Sequence, residues 1–281
     1  MKSINEVSKI IYTGTHGSGK TTIQRKYMNL EHYGIVSFDE LIRHLKRIPN
    51  FRFTPGNDEM SRMQYANTER ALVSFYKSIC DMKNAIPNQE LIVMDRCILD
   101  PLYYTSYFNI NVKMANDNLW LSDVLINEIL EVKRLGFFNN AKIFLLNPLP
   151  LDEEDTFRIG SQNTEEFYKI QHDIYNTAKR TLQLFHLPFE ECNQQFAFEE
   201  SHFIAKNIIS SKVAHNFNTK EQASIEAENI LQNTYKSNEF KYNDENFILE
   251  MQKKGFIEGT LEYMYEKGKW DTMKLFEKGV I

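Results

Sequence analysis

The sequence predicts an α/β protein: a parallel sheet covered by helices on both faces, followed by a helical extension. Three observations lead there. Short apolar runs rich in β-branched residues alternate with longer stretches of helical periodicity. Two of those runs, ELIVMD (90–95) and AKIFLLN (141–147), are apolar on both faces, as central parallel strands are. The segment GTHGSGKTT (14–22) leaves the first run directly and enters a helix-like stretch, so strand, loop and helix form one unit.

Taken in order, SKIIYT (8–13) reads as a buried strand ended by glycine. A helix is expected from Lys20 to about His32, and GIVSF (34–38) as a second strand. Residues 61–84 place Met63, Leu72, Phe75, Ile79 and Met82 at roughly helical spacing. ELIVMD is the clearest central strand, and Asp100 is set to begin the next helix. SDVLINEILEVKRLG (122–136) is an amphipathic helix stopped by Gly136. AKIFLLN follows, then a helix over 164–186 and a last short strand in LPFEEC (187–192). Beyond residue 215 the strand signal disappears. Two charged segments, 219–237 and 243–279, carry apolar residues at helical intervals, among them Phe247, Ile248, Met251, Phe256, Leu261 and Met264. The expected division is a main domain over 1–214 and a helical extension over 215–281. The extension is read as a hairpin packed on the main domain or used for self-association, for example in a homodimer.

Composition narrows the function classes. The 281 residues are 42% apolar and 25% charged, enough for a substantial core. A net charge of −5 argues against an extended nucleic-acid-binding surface. The three cysteines, Cys80, Cys97 and Cys192, have neither disulfide-frame nor zinc-site spacing. The N-terminal MKSINEVSKI lacks the apolar stretch of a signal peptide, and no run is long enough to span a membrane. The expectation is a soluble, reduced, cytoplasmic protein.

The chemistry starts in the glycine loop. Gly14, Gly19, Lys20 and Thr21 fit the pattern G-x-x-x-x-G-K-S/T across Gly14, Thr15, His16, Gly17, Ser18, Gly19, Lys20, Thr21 and Thr22. Glycines let successive backbone N–H groups curl around an anion without Cβ clashes. The helix that follows directs its positive end at the same anion. Lys20 adds a mobile charge for the outer phosphates, and the Thr21 hydroxyl suits Mg²⁺. Such a loop holds a nucleoside triphosphate. Downstream, MDRCILD puts Asp95 where a central strand ends, on the sheet edge that carries the loop. An acid there can hold a water on Mg²⁺ or accept a proton from an attacking hydroxyl. Asp100, just before Pro101, reads equally as a helix cap or a substrate contact.

IYTGTHGSGKTT together with LIVMDR resembles the P-loop nucleoside and nucleotide kinases over residues 8–210. It looks most like the AAA_28-type subgroup that contains the nicotinamide riboside kinase domain of bacterial NAD regulators. That resemblance implies a five-stranded parallel sheet flanked by helices, and an ATP- and Mg²⁺-dependent phosphoryl transfer. It implies that Asp95 works near metal and nucleophile while Arg96 clamps phosphate or substrate. In FDELIR (38–43) it implies that Asp39 or Glu40 faces the acceptor with Arg43 nearby; a plain helix start explains those residues equally well. In DEEDTFRIGSQNTEEF (152–167) it implies a lid over the triphosphate. Arg158 is the only basic residue between Lys142 and Lys169, and hence the candidate that neutralises the moving charge. Four acids precede it, a departure from lids that carry several arginines; they read either as a solvated loop or as a group that repels anionic acceptors, and the second reading favours a nucleoside over a nucleotide acceptor. Two further readings stay open: a nucleotide-dependent regulatory NTPase, for which no NKxD guanine-reading motif is present, and a 5′-polynucleotide kinase, which an isoelectric point near 5.9 disfavours. On the 61–84 helix, Arg62, Gln64, Tyr65, Asn67 and Arg70 are polar groups that could read a base or sugar; an ordinary amphipathic surface helix explains them at least as well.

Overall fold

The computed structural model describes residues 6–38, 52, 54–55, 58–81, 89–111, 119–150 and 164–242. Its five strands are β1 (Ser8–Thr13), β2 (Ile35–Phe38), β3 (Leu91–Asp95), β4 (Ala141–Leu146) and β5 (Glu190–Cys192). They form one parallel sheet in the order β2-β3-β1-β4-β5. The described residues also form seven α-helices: α1 (Lys20–Arg25), α2 (Glu59–Asp81), α3 (Asp100–Asn111), α4 (Leu119–Arg134), α5 (Thr164–Leu184), α6 (Gln194–Val213) and α7 (Lys220–Tyr242). This is the α/β arrangement expected of a P-loop NTPase-like fold.

Alternation along each strand divides the core in two. Ile11, Ile92, Met94, Ile143 and Leu145 point to a layer filled from α2, α3, α4 and α5. Ile10, Tyr12, Leu91, Val93, Phe144 and Leu146 point to the other face, against Ile23 of α1 and the inner sides of α6 and α7. On that second face Tyr12 lies over Phe144 with ring centroids 5.9 Å apart, and its hydroxyl donates to Ser201 Oγ at 2.6 Å. A buried phenol is thereby satisfied rather than stranded. No helix among the described residues is long and apolar enough to cross a membrane.

Several elements differ from the sequence expectation, each for a readable reason. The helix expected to reach His32 ends at Arg25. The N–H groups of Lys26, Tyr27 and Met28 donate to the third residue before each, tightening the last turn, and Asn29 turns left-handed at φ 65°. On α2 the inward stripe is Tyr65, Leu72, Val73, Tyr76 and Ile79, whereas Met63 is 52% exposed. The expected periodicity was therefore out of phase at that end; Met82 lies outside the described residues. Helix α6 had no counterpart in the sequence reading. Its buried positions are Ala197, Ser201, Ala205, Ile209 and Val213, a stripe too small and too polar at its start to stand out by hydropathy. Asn193 caps it, accepting from the N–H of Phe196 at 2.8 Å.

The predicted segment 219–237 appears as α7. Ala223, Ala227, Leu231 and Tyr235 share one apolar cluster with β1, β3 and β4. The segment 243–279 lies outside the described residues.

Candidate nucleotide site

The register of the sheet fixes where chemistry gathers. Tyr12 pairs with Asp95 and Thr13 with Leu145, so β1, β3 and β4 end together. Carboxyl ends of parallel strands open the crevice in which ligands of such sheets bind. The glycine loop leaves β1 there.

Three glycines in the loop have positive φ: Gly14 at 126°, Gly17 at 75° and Gly19 at 76°. At two of them space is also short. A Cβ on Gly14 would stand 3.0 Å from the carbonyl oxygen of Leu146, and one on Gly19 would stand 3.0 Å from Cγ of Gln194. Glycine is therefore required twice over, by backbone conformation and by close approach.

The loop is anchored from several sides. Lys20, though charged, is only 4% exposed. Its ammonium donates to the carbonyls of Gly14 (3.3 Å) and Thr15 (2.5 Å) and to Ser18 Oγ (3.0 Å), and Ser18 Oγ donates to the Thr15 carbonyl at 2.9 Å. Gln171 of α5 donates to the His16 carbonyl at 3.0 Å. Gln194 of α6 donates to the Ser18 carbonyl, also at 3.0 Å. The His16 ring meets Phe167 edge-on, 5.3 Å between centroids. With four loop carbonyls occupied by side chains, they do not compete with an anion for the loop's amides.

On α1, Thr21 donates its hydroxyl to Asp95 Oδ2. A hydroxyl from the loop helix thus meets the carboxylate at the end of β3, 74 residues away in sequence. Asp95 is buried, half-buried Thr21 lies beside it, and Thr22 is exposed. One turn further along α1, Gln24 donates to Ser37 Oγ at 2.7 Å, tying the helix to the end of β2.

Arg96 sits at φ 72°, in the left-handed region that ordinarily favours glycine. Its N–H donates to the Tyr12 carbonyl at 2.8 Å. Its buried guanidinium reaches Asp100 Oδ1 at 3.1 Å and lies 5.0 Å from the centre of the Tyr104 ring. Asp100 opens α3 and gathers donors around it. The Cys97 N–H reaches Oδ2 at 2.9 Å, Thr13 Oγ1 reaches Oδ2 at 3.1 Å, and the Tyr103 hydroxyl donates to Oδ1. The Tyr103 hydroxyl also lies 3.2 Å from the Gly14 carbonyl. Asp100 therefore links β1, β3, α3 and the glycine loop through one carboxylate.

Among the sequence-predicted residues, Gly14 to Thr22, Asp95, Arg96 and Asp100 all lie on this edge. Asp39, Glu40, Arg43 and Arg158 lie outside the described residues. On α2, Asn67 and Arg70 are exposed, Arg62 and Gln64 half-buried, and Tyr65 buried with its hydroxyl 3.1 Å from Thr105 Oγ1.

Sequence reading missed Glu69. It is buried on α2, and its Oε2 has no hydrogen-bond partner among the described residues. Burial pushes its carboxyl from an ordinary 4.5 up to about 8; the Tyr65 hydroxyl and the Arg96 charge pull down, and Asp100 pushes up. The signal was present. Glu69 falls four residues after Tyr65, on the inward stripe, where an acid has no solvent to face. Gln171 and Gln194 were missed too, since a lone glutamine on a helix carries no pattern.

No protein-family model matches the chain, and no curated protein matches its sequence. Among solved structures it is similar to a NadR protein crystallised in complex with NAD and AMP-PNP, at 14% identity and a TM-score of 0.44. The alignment covers 70% of this chain but only 48% of the other, so the chain spans about half the length of that protein.

Proposed function

We propose that this protein binds ATP with Mg²⁺ at the Gly14–Thr22 loop and transfers the γ-phosphoryl group to a hydroxyl of a small nucleoside-type acceptor. The observation that carries this reading is the contact between the Thr21 hydroxyl and Asp95 beside the buried Lys20. Loop, cation, hydroxyl and carboxylate meet at the end of the central strand, as phosphoryl transfer by a P-loop requires.

The residues suit the metal. A hydroxyl beside one carboxylate offers hard oxygen donors, and Mg²⁺ takes one or two protein oxygens while substrate phosphates and water complete its shell. Among the described residues no group of three or more His, Cys, Asp and Glu side chains could cage an ion by itself. Thr21 and Asp95, the latter directly or through water, would hold it. When bound, the ion neutralises charge on the β- and γ-phosphates.

The chain's own groups supply the rest. The loop amides and Lys20 hold the β- and γ-phosphates in line. The acceptor oxygen forms a bond to the γ-phosphorus as the bond to the β,γ-bridging oxygen breaks, and ADP leaves. A carboxylate on the acceptor side, Asp95 or an acid at 39–40, orients the hydroxyl and takes its proton. Arg158 balances the charge that spreads over the moving phosphoryl. The left-handed backbone at Arg96 holds the guanidinium beside this edge at a conformational cost on the order of 1–3 kcal/mol, a kind of strain that concentrates at functional sites. The acidic run at 152–155 argues for a neutral acceptor rather than one that already carries phosphate.

The test is a panel of nucleosides and nucleotides incubated with γ-labelled ATP, with Mg²⁺ or with EDTA. Label on a nucleoside, lost with EDTA, is the expected result. Hydrolysis with label on no acceptor would turn the reading to a regulatory NTPase. Absence of any triphosphate binding would remove it altogether.

A further inference from the structure

The loop helix α1 is only six residues long, a lever of about 9 Å at 1.5 Å per residue. Its first two residues are Lys20 and Thr21. At its other end the tightened turn supplies local donors: the N–H groups of Lys26, Tyr27 and Met28 reach the carbonyls of Ile23, Gln24 and Arg25. That turn is itself held from far along the chain. Asn238, on α7, donates its side-chain amide to the carbonyls of Arg25 (2.9 Å), Lys26 (3.2 Å) and Met28 (2.8 Å). Its Oδ1 in turn accepts from Asn29 Nδ2 at 2.7 Å. Asn29 is the residue whose left-handed φ of 65° turns the chain away from α1.

This network specifies asparagine. Three carbonyls surround one nitrogen and an amide donor meets the oxygen, so the side-chain orientation is fixed by its partners. An aspartate of the same shape would press an oxygen against three carbonyl oxygens and bring a charge into a site only 2% exposed. Three further ring contacts tie the same end of the lever to the α6–α7 pair. The Lys26 ammonium lies 4.7 Å from the Phe198 ring and 5.7 Å from the Tyr235 ring, and the Tyr27 ring meets Tyr235 edge-on at 5.8 Å.

We propose that Asn238 is a positioning residue for the glycine loop: it clamps the far end of α1, so that triphosphate occupancy and order in α7 are linked. The proposal rests on the reading that residues 14–22 bind a triphosphate. The physical argument is short. A triphosphate at one end of a stiff six-residue helix restricts its tilt and rotation, and the clamp at the other end does the same. Each restriction lowers the entropy left for the other to remove, and linkage makes the effect reciprocal.

Backbone amide exchange on the full chain, with and without Mg²⁺–ATP, tests this without any variant. The expected result is slower exchange at residues 14–25 and also at 231–238. Protection at 14–25 with none at 231–238 overturns the clamp and leaves the nucleotide site standing. Protection at neither overturns both. Variants add a second measurement. Asn238→Ala and Asn238→Asp should weaken Mg²⁺–ATP binding by roughly fivefold to a hundredfold, the usual range of coupling between two sites. They should also abolish the ATP-dependent protection at 231–238 while retaining it at 14–25. Val132→Ala, which trims a buried side chain on the opposite face of the sheet, serves as a variant of lowered stability and should leave ATP affinity unchanged. Affinities for the Asn238 variants within twofold of the native chain, or equal losses in Val132→Ala, would overturn the proposal.

Discussion

Replacing Glu69 by glutamine should make the protein more stable at neutral pH, with a gain that shrinks toward zero in mild acid. The folded chain holds this carboxyl near 8 against an ordinary 4.5. Between those values the folded state keeps a proton that the unfolded state releases. The unfolded state thus binds fewer protons, and stability falls as pH rises through the window, then levels off above 8. Every pH unit separating the folded from the unfolded pKa corresponds to about 1.4 kcal/mol, so the full window represents a ceiling on the order of 5 kcal/mol, and the part reached by pH 7 on the order of 3 kcal/mol. Glutamine has the shape of the protonated acid and no proton to lose. The groups facing position 69 stay in place in the variant: the Tyr65 hydroxyl on the same helix, Arg96 after β3, and Asp100 on α3. The measurement is urea unfolding of native protein and Glu69→Gln in parallel from pH 4.5 to 8.5. Other titrating groups cancel in the difference, which should open by as much as about 1.4 kcal/mol per pH unit and close again near pH 4.5. Two curves that stay parallel across pH 5 to 8 would refute the reasoning, because Glu69 would then carry its charge in both states.

Three further outcomes follow from the proposed nucleotide site. Lys20→Ala should weaken ATP binding by roughly 10²-fold or more, since a charge-assisted contact to phosphate is lost, while far-UV dichroism stays native; titration with a fluorescent ATP analogue measures it, and unchanged affinity would count against the loop. Asp95→Asn keeps the shape but removes the charge beside Thr21; turnover should fall by about 10²–10³-fold with a much smaller change in metal-free ATP binding. Gly14→Ala adds a Cβ at φ 126° and 3.0 Å from the Leu146 carbonyl, so it should destabilise the fold by about 1–3 kcal/mol and abolish ATP binding, seen by thermal unfolding with and without nucleotide.

The fold was legible because its strands are short, apolar and separated by strong punctuation. Gly14, Gly34 and Gly136 all take positive φ where the sequence turns out of or into an element. The tight turn over residues 14–22 was legible because its glycines, which the structure places at positive φ, fall at consecutive close spacing, and consecutive constraint is what a sequence displays. What stayed hidden depends on distance along the chain. Asn238 meets Arg25, Lys26 and Met28 across more than 200 residues, and nothing at either end announces the other. Helix α6 stayed hidden for a different reason. Its buried side is built from Ala197, Ser201 and Ala205, small residues that let the helix approach the sheet closely but give weak hydrophobic contrast.

Two buried lysines separate structural from functional departures from local rules. Lys9 on β1 is 1% exposed; its ammonium donates to the carbonyls of Val7 (2.7 Å) and Asn139 (3.0 Å) and lies 5.6 Å from the Phe137 ring. Lys20, eleven residues on, is as deeply placed and also rests on carbonyls. Their surroundings differ. Around Lys9, at the opening end of β1, the contacts to Val7, Asn139 and Phe137 staple that end of the strand to the turn before β4. Around Lys20 the unusual features accumulate: three glycines at positive φ, a non-glycine residue in the same region at Arg96, an acid at Asp95 touching the Thr21 hydroxyl, and the carboxylate hub at Asp100. A single buried charge is explained by its hydrogen bonds. Several charged positions and a left-handed non-glycine residue gathered at one sheet edge are the kind of departure from local rules that concentrates at functional sites. What they share is a position at the carboxyl ends of β1 and β3, where ligands of parallel sheets bind, and that common position is the physical support for the proposed nucleotide site.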